Sequence, residues 1–303
     1  VATDARWYIR VYDTDGVEQY RLTDAGGFIG AACQPTVNGL GAFSVVLSAA
    51  DGKAYDIATA IDLDWQFEFY RKVPSKDVAW YNFFSGLVRR HRWFIVNGVL
   101  RCELVGTGNN GLLARRVIAA YSGSSEATKS GVAETVIKEY VDEQAGPSAT
   151  TRAITGLTIE ADGADGNSVS MARSNKGLLG VCQEIANIGG GDFAVVTTGG
   201  AGWQFRWYDG QLGTDRSATV VFSLENGNME NPELDVNRLN EANYVRVGGQ
   251  GEAADREYVW RSDATLADDS AINRMEMFSD ARNESETAGL NSKGDAILEQ
   301  YRP

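Results

Sequence analysis

The chain has 303 residues with 28 basic and 41 acidic side chains, a formal net charge of −13. That length permits roughly two domains, and the acidic balance argues against wrapping nucleic acid, whose phosphates are neutralised by Lys and Arg. No run approaches the roughly 18 continuous apolar residues of a membrane helix, and the first residues lack the basic-then-apolar order of a secretory signal.

Residues 7–12 are aromatic and β-branched, Asp13-Thr14-Asp15-Gly16 reads as a turn, and residues 17–22 return, which predicts a hairpin. Residues 43–47 predict a short strand that runs into Ser-Ala-Ala-Asp-Gly, ending with Asp51 and Gly52. Residues 65–70 alternate large apolar and polar side chains, as a half-buried strand does, and 80–88, 93–96 and 101–105 continue the pattern. Six or so short strands, several separated by Gly, Asn or Asp, predict an antiparallel barrel.

The character changes near residue 112. Val132, Val136, Ile137, Tyr140 and Val141 recur at helical spacing over 131–145, with Ser130 as the expected N-cap and Gly146-Pro147 as the stop. Leu157 and Ile159 mark a short strand. Leu178, Leu179, Cys182, Ile185 and Ile188 mark a second amphipathic helix, ended by Gly189-Gly190-Gly191. Residues 193–196 and 203–207 predict a hairpin around the glycines at 199–202, so this part is expected to be an α+β unit. Strands are expected again at 219–222 and 244–247, then an extended segment at 273–280 and a helix over 287–300.

Gly106-Thr107-Gly108-Asn109-Asn110-Gly111 has the spacing of a dinucleotide fingerprint. That motif needs a parallel βαβ unit, whereas antiparallel strands precede it here, and the helix after it would break at Ser122-Gly123. The glycines are therefore expected to make a tight junction between domains, with Gly108 or Gly111 at positive φ or too closely packed for a Cβ. Asp13-Thr14-Asp15-Gly16 and the segment 162–167 lack the flanking helices and terminal Glu of a calcium loop and are expected to be turns. Cys33, Cys102 and Cys182 are odd in number and widely spaced, which predicts buried thiols in a reducing compartment rather than a disulfide or zinc framework. The single histidine, His91, lies between Arg90 and Arg92, a surface setting rather than that of a general base. Neither G-x-S-x-G nor H-E-x-x-H occurs. No catalytic, cofactor or metal residues are expected.

Several segments in this order resemble the tail hub proteins of long-tailed phages, relatives of contractile-phage baseplate hubs and of the hub part of type VI secretion spikes. They are Ala42-Phe43-Ser44-Val45-Val46-Leu47 followed by Asp51, Phe67-Glu68-Phe69-Tyr70-Arg71, Phe84-Ser85-Gly86-Leu87-Val88 and Gly111-Leu112-Leu113-Ala114-Arg115-Arg116. The helix 132–141, Tyr244-Val245-Arg246-Val247-Gly248-Gly249-Gln250-Gly251-Glu252 with Arg256, and Met275-Glu276-Met277-Phe278-Ser279-Asp280-Ala281-Arg282 complete the set. Where such hubs usually continue, this chain stops at Tyr301-Arg302-Pro303, so truncation or a minimal hub is expected.

The resemblance implies a mainly β fold with α+β parts, in which tail-tube-like antiparallel β-barrels are decorated by an α/β insertion. Residues 1–111 would form the first barrel, completed by strands from 217–260. Residues 112–216 would be the α+β domain, and 261–303 part of a second, truncated tube-like domain. It further implies a non-enzymatic virion protein at the tail tip, assembled in the host cytoplasm. Three copies would form a ring joining the hexameric tail tube, or a distal tail protein, to a threefold spike, fibre or tip. Genomic DNA would pass through the channel during ejection without specific binding, and the net charge of −13 leads to the separate expectation of an acidic channel wall. The rivals are a peptidoglycan-cleaving tail-tip enzyme with two paired carboxylates and a receptor- or carbohydrate-binding β protein. For the last, Trp7, Trp65, Trp80, Trp93, Trp203, Trp207 and Trp260 could supply an aromatic platform, although most are expected in the core.

Overall fold

The computed structural model describes residues 5–23, 27–50, 52–74, 78–252, 255–267 and 272–302. Asp51, read from the sequence as the turn after the early strand, and the terminal Pro303 lie outside these residues.

The strand signals of the first hundred residues build one seven-stranded sheet. Its strands are β1 (Arg6–Tyr12), β2 (Glu18–Thr23), β3 (Gly30–Gln34), β4 (Ala42–Ser48), β5 (Gln66–Val73), β6 (Val78–Val96) and β7 (Val99–Gly108), in the order β2-β1-β5-β6-β7-β4-β3. All pairs are antiparallel. The two strands expected at 80–88 and 93–96 are one long strand. A register shift between Val88 and Arg90 flips the alternation partway, which is why the sequence pattern splits there. Asn97 and Gly98 turn β6 into β7 with φ of 51° and 76°, the two left-handed residues that a tight hairpin requires.

The sheet is strongly curled. In a flat sheet β4 and β5, three places apart, would be separated by about 14 Å. Yet the Phe43 ring of β4 lies 5.4 Å from Phe67 and 5.3 Å from Phe69 of β5. Ile9, Val11, Val45, Leu47, Val88, Cys102 and Leu104 fill the same core. A helix absent from the sequence reading, α1 (Gly52–Ala60), closes one end with Ala58 and Ile57. Among the described residues the sheet is not closed into the expected barrel: β2 and β3 stand at its edges and are not paired with each other. Nor do strands from 217–260 complete it. Residues 219–222 form no strand, and 244–248 and 258–262 pair elsewhere.

Helices and strands mix in the next part. The strands β8 (Ala127–Val132) and β10 (Ser168–Arg173) form an antiparallel pair, while β11 (Gly191–Gly199), β12 (Gly202–Asp209) and the short β9 (Leu157–Ile159) form a three-stranded sheet. The helices α2 (Ala133–Gln144) and α3 (Leu178–Gly189) pack over them, burying Val136, Ile137, Val141, Ile185, Phe193 and Phe205. The expected Ser130 cap is corrected: Val132 is the N-cap of α2, and Ser130 is committed to β8 opposite Ser170. The α3 stop is as expected, with Gly190 left-handed at φ 72°.

The last sheet joins β13 (Tyr244–Gly248) to β14 (Tyr258–Ser262) in antiparallel fashion and to β15 (Glu276–Asp280) in parallel. After a short α4 (Ala264–Ala267), the final helix α5 (Thr287–Gln300) covers one face, with Val245, Val247 and Leu290 buried between them. No helix is long and apolar enough to cross a membrane among the described residues.

Candidate functional site

The chemistry of the chain is concentrated at a polar seam where β11 meets the first sheet. β11 is an edge strand, so its outward N–H groups need acceptors. Asn38 Oδ1 accepts from Phe193 N at 2.8 Å, and Asn110 Oδ1 accepts from Val195 N at 2.8 Å. Asn38 Nδ2 also donates to Asp192 Oδ1 at 2.7 Å, and Asn110 Nδ2 donates to Gly39 O at 3.0 Å. Further along β11, Thr197 Oγ1 donates to Glu68 Oε1 at 2.9 Å. The buried Glu68 also accepts from Tyr12 and Tyr70 hydroxyls at 3.2 and 3.0 Å. Burial, and then the Glu68 charge, raise the Tyr12 phenol well above its usual range, so it remains a donor at any physiological pH. The seam holds two parts of the fold together. Replacing Asn110 with Ala orphans the Val195 N–H, which should cost about 1–3 kcal/mol. A drop in the urea unfolding midpoint checks this, and an unchanged midpoint would mean that β11 docks without it.

The Gly106–Gly111 segment is thereby explained. It joins β7 to a 3-10 turn, Asn109–Arg115, and supplies Asn110 to the seam. Neither Gly108 nor Gly111 has positive φ, but both are too close-packed for a side chain. A Cβ at Gly108 would lie 2.6 Å from Leu40 O, and one at Gly111 2.5 Å from Thr107 Oγ1. The motif opens no parallel βαβ unit.

The other candidates resolve as packing groups. His91 lies on β6 opposite Leu104, half-buried rather than on the surface, and its Nε2 is buried with no hydrogen-bond partner. Asp13 is occupied by the turn, its Oδ1 accepting from Asp15 N at 3.0 Å and Val17 N at 2.9 Å. Asp162 accepts from Thr135 Oγ1 at 2.6 Å and Ala164 N at 3.2 Å. All three cysteines are free, and burial pushes the Cys102 thiol up to about 11, which leaves it protonated and unreactive at neutral pH.

Among the described residues, three surfaces of the sheets remain incompletely covered. The first is the open seam of the curled sheet, where Trp7, Ile9, Phe69 and Phe83 face Ala31 and Cys33 across an apolar groove. The second is the tip of the β6–β7 hairpin, with exposed Trp93, Ile95 and Val99 and the Tyr55 ring 5.8 Å from Trp93. The third is the outward face of the last sheet. There Arg246 stands between Trp260 and Phe278, its guanidinium 4.1 Å from the Tyr258 ring centre. Trp203 and Trp207 are core residues, whereas Trp80, Trp93 and Trp260 are exposed. Trp80 and Trp93 stand thirteen residues apart on β6, about 40 Å along the strand, so they do not form one platform.

Comparison with known proteins gives these surfaces a context. Residues 96–300, more than half of the chain, match the model of the Siphovirus ReqiPepy6 Gp37-like protein family. The chain belongs to that family. Its fold is shared with phage tail proteins of known structure. Prophage tail protein gp18 of Listeria monocytogenes EGD-e superposes with a TM-score of 0.57 at 9% identity, over 97% of this chain and 78% of that one. A 43 kDa tail protein of prophage MuSo2 from Shewanella oneidensis gives 0.55 at 10% identity over 95% and 76%, and a tail protein of Neisseria meningitidis MC58 gives 0.53 at 14% over 97% and 76%. No match was found among curated protein sequences. The resemblance to tail hubs read from the sequence agrees with both the family and the fold.

Sequence reasoning missed Asn38, Glu68 and Thr197 as seam residues. Only Asn110 carried a signal, its place in the glycine motif. The others are single polar residues in or beside strands, and their partners lie 129–155 residues away in the chain.

Proposed function

We propose that this chain is the structural hub of a phage tail, forming a trimeric ring at the tail tip between the hexameric tube and a threefold spike, fibre or tip. The observation that carries this is the fold shared with tail proteins over nearly the whole chain. The curled seven-stranded sheet, whose edge strands β2 and β3 have no further partner among the described residues, supports it. An open edge presents unpaired backbone donors and acceptors that a neighbouring chain can satisfy, and a cyclic ring uses such head-to-tail contacts until rotation closes it. The first sheet is proposed to serve as a tube-like barrel completed within the ring, with 112–216 as its α+β decoration and 261–303 contributing to a second tube-like layer. Genomic DNA would pass through the channel unbound, and the ring would assemble in the host cytoplasm.

Electron microscopy of the purified chain should show closed rings of three with a central channel. Only monomers, or closed rings of six, would overturn the proposal. The purified chain should not clear a peptidoglycan zymogram, and clearing abolished by removing one carboxylate pair would make it a lytic tail-tip enzyme instead.

The charge of −13 fits a channel that repels DNA over about one Debye length, roughly 8 Å. The acid is unevenly spread, however. The β6–β7 hairpin carries Arg89, Arg90, Arg92 and Arg101 against Glu103, with Arg90 and Arg92 both beside that carboxylate at 3.6 and 3.4 Å. An acidic lumen therefore requires these arginines to face away from the DNA, toward a neighbouring protein. A ring whose channel is lined by them would leave the acidity to solubility alone.

A further inference from the structure

Residues 210–243 link β12 to β13 without a helix or a strand, yet this polar stretch carries apolar side chains at Val220, Val221, Phe222, Leu224, Leu234 and Val236. Val220, Phe222 and Leu224 alternate on one side of what the sequence predicts as a strand, and Leu234 and Val236 alternate again after the Asn226-Gly227 turn. None of these apolar side chains is covered. Phe222 is 63% exposed, Leu234 88% and Leu239 86%. The hydrogen bonds at the arm's tip are local ones: Ser223 N donates to Asn228 Oδ1 at 2.9 Å, and Asn228 Nδ2 to Val221 O at 3.0 Å. Exposed apolar side chains at this density mark a contact surface. A strong strand signal with no partner among the described residues is the kind of local conflict that an assembly resolves.

The arm also has one sign of charge. Residues 217–237 hold Glu225, Glu230, Glu233 and Asp235 and no Lys or Arg. An aromatic face bearing arginines lies on the last sheet, with Glu276 and Asp280 on the same side. Its inward face packs on α5, while its outward face presents Tyr244, Arg246, Tyr258, Trp260 and Phe278. Trp, Tyr and Arg are the residues that carry most binding energy at protein interfaces. On this face Arg256 is paired with Asp280, and Arg274 with Glu276 at 2.5 Å. Arg246, at the centre, has no carboxylate partner among the described residues and is held only against the Tyr258 and Trp260 rings, at 4.1 and 5.8 Å. It is positioned for an anion that none of the described residues provides.

We propose that the arm, residues 217–237, of one copy lies across the outward face of the last sheet of a second copy. Its alternating apolar side chains cover Trp260 and Phe278, and its carboxylates reach Arg246. Every copy then gives one arm and receives one, a heterologous contact that closes into a ring. This deepens the trimeric hub reading and rests on it.

The test uses the full chain with Cys33→Ser to remove the one partly accessible thiol. Phe222→Cys is placed in copies carrying one affinity tag and Trp260→Cys in copies carrying another. The two are mixed, allowed to re-form oligomers and joined with a short bismaleimide. The expected product is a species bearing both tags, in excess of either homodimer. Arg246→Glu should weaken association at least tenfold, and Glu233→Lys with Asp235→Lys in that background should restore it, because close charge pairs at interfaces couple strongly. A ring that persists in Arg246→Glu and gives no two-tag product overturns the arm exchange while leaving the hub reading intact. With both cysteines in one chain, cross-linking confined to that chain places the arm on its own sheet and also overturns the exchange. A chain that stays monomeric at every concentration overturns both.

Discussion

Gly106→Val should abolish soluble folding of this chain, or lower its stability by more than about 4 kcal/mol, a large part of the margin by which domains are stable. Gly106 lies on β7 opposite Val88 of β6, under the aromatic cluster of the curled sheet. A Cβ built there would lie 2.2 Å from Leu87 O and 2.3 Å from the Phe43 ring. The first obstacle is backbone and the second is a ring already wedged among Phe67, Phe69 and Phe84. Neither can yield without separating β6 from β7 or expelling Phe43, so the cost exceeds that of ordinary overpacking, about 1–3 kcal/mol. Gly98 provides the contrast. A Cβ at this hairpin tip meets nothing within 4 Å, and the position asks only for φ of 76°. Gly98→Asn should therefore cost under about 1 kcal/mol, since Asn tolerates the left-handed region. Soluble yield and guanidinium midpoints of both variants check the pair. Comparable losses would mean that the close approach at Gly106 is not what limits the fold.

Lys138→Met should cost about 3–5 kcal/mol at neutral pH, because it leaves a carboxylate buried and unpaired. Glu134 in the first turn of α2 and Lys138 one turn later are each 4% exposed. Lys138 Nζ donates to Glu134 Oε1 at 2.5 Å and to Ala161 O at 2.7 Å, while Glu134 Oε2 accepts from Asp165 N at 2.9 Å. Burial pushes the Glu134 carboxyl up, but the Lys138 ammonium and the backbone N–H groups of Asp165 and Gly163 outweigh it and hold it below the ordinary carboxylate value. In the native chain this pair therefore stabilises above the ordinary Glu pKa, and its contribution is lost as pH falls through the depressed folded value. In Lys138→Met the sign reverses. Burial without the ammonium raises the Glu134 pKa, so the deficit is full at pH 7 and narrows toward pH 4 as the carboxyl takes a proton. Glu134→Leu with Lys138→Met should recover most of the loss, since an apolar pair can replace a buried ion pair. Urea midpoints at pH 7 and pH 4.5 decide it, and a deficit that does not change between them would show that Glu134 is not the group left stranded.

The elements that could be read in advance are those whose partners are local or whose pattern is periodic. The β1–β2 and β11–β12 hairpins, α2, α3 and α5 declare themselves through alternation, 3.6-residue spacing and glycine stops. α1 was missed because it is short and only Ala58 is buried, so no sustained apolar stripe marks it. β3, Gly-Ala-Ala-Cys-Gln, was missed because small residues give no strand signal; the strand is set by its pairing to β4. The reverse error at 219–222 is as informative, since a strong strand signal finds no partner among the described residues.

Composition and pattern by themselves determined that this chain is mainly β with helices mixed in, where several of its hairpins and helices lie, and that the glycines at 108 and 111 are closely packed. These follow from short-range sterics and periodicity, which act over a few residues. Only the tertiary structure decided that the first sheet curls without closing and that 244–280 builds a sheet of its own. The same holds for Asn38, Asn110 and Glu68, which bind a strand more than eighty residues away in the chain. Those outcomes depend on which edges meet and which buried donors find acceptors. Pairings of that kind are selected by the free energy of the whole packed core, so no local window of sequence contains them.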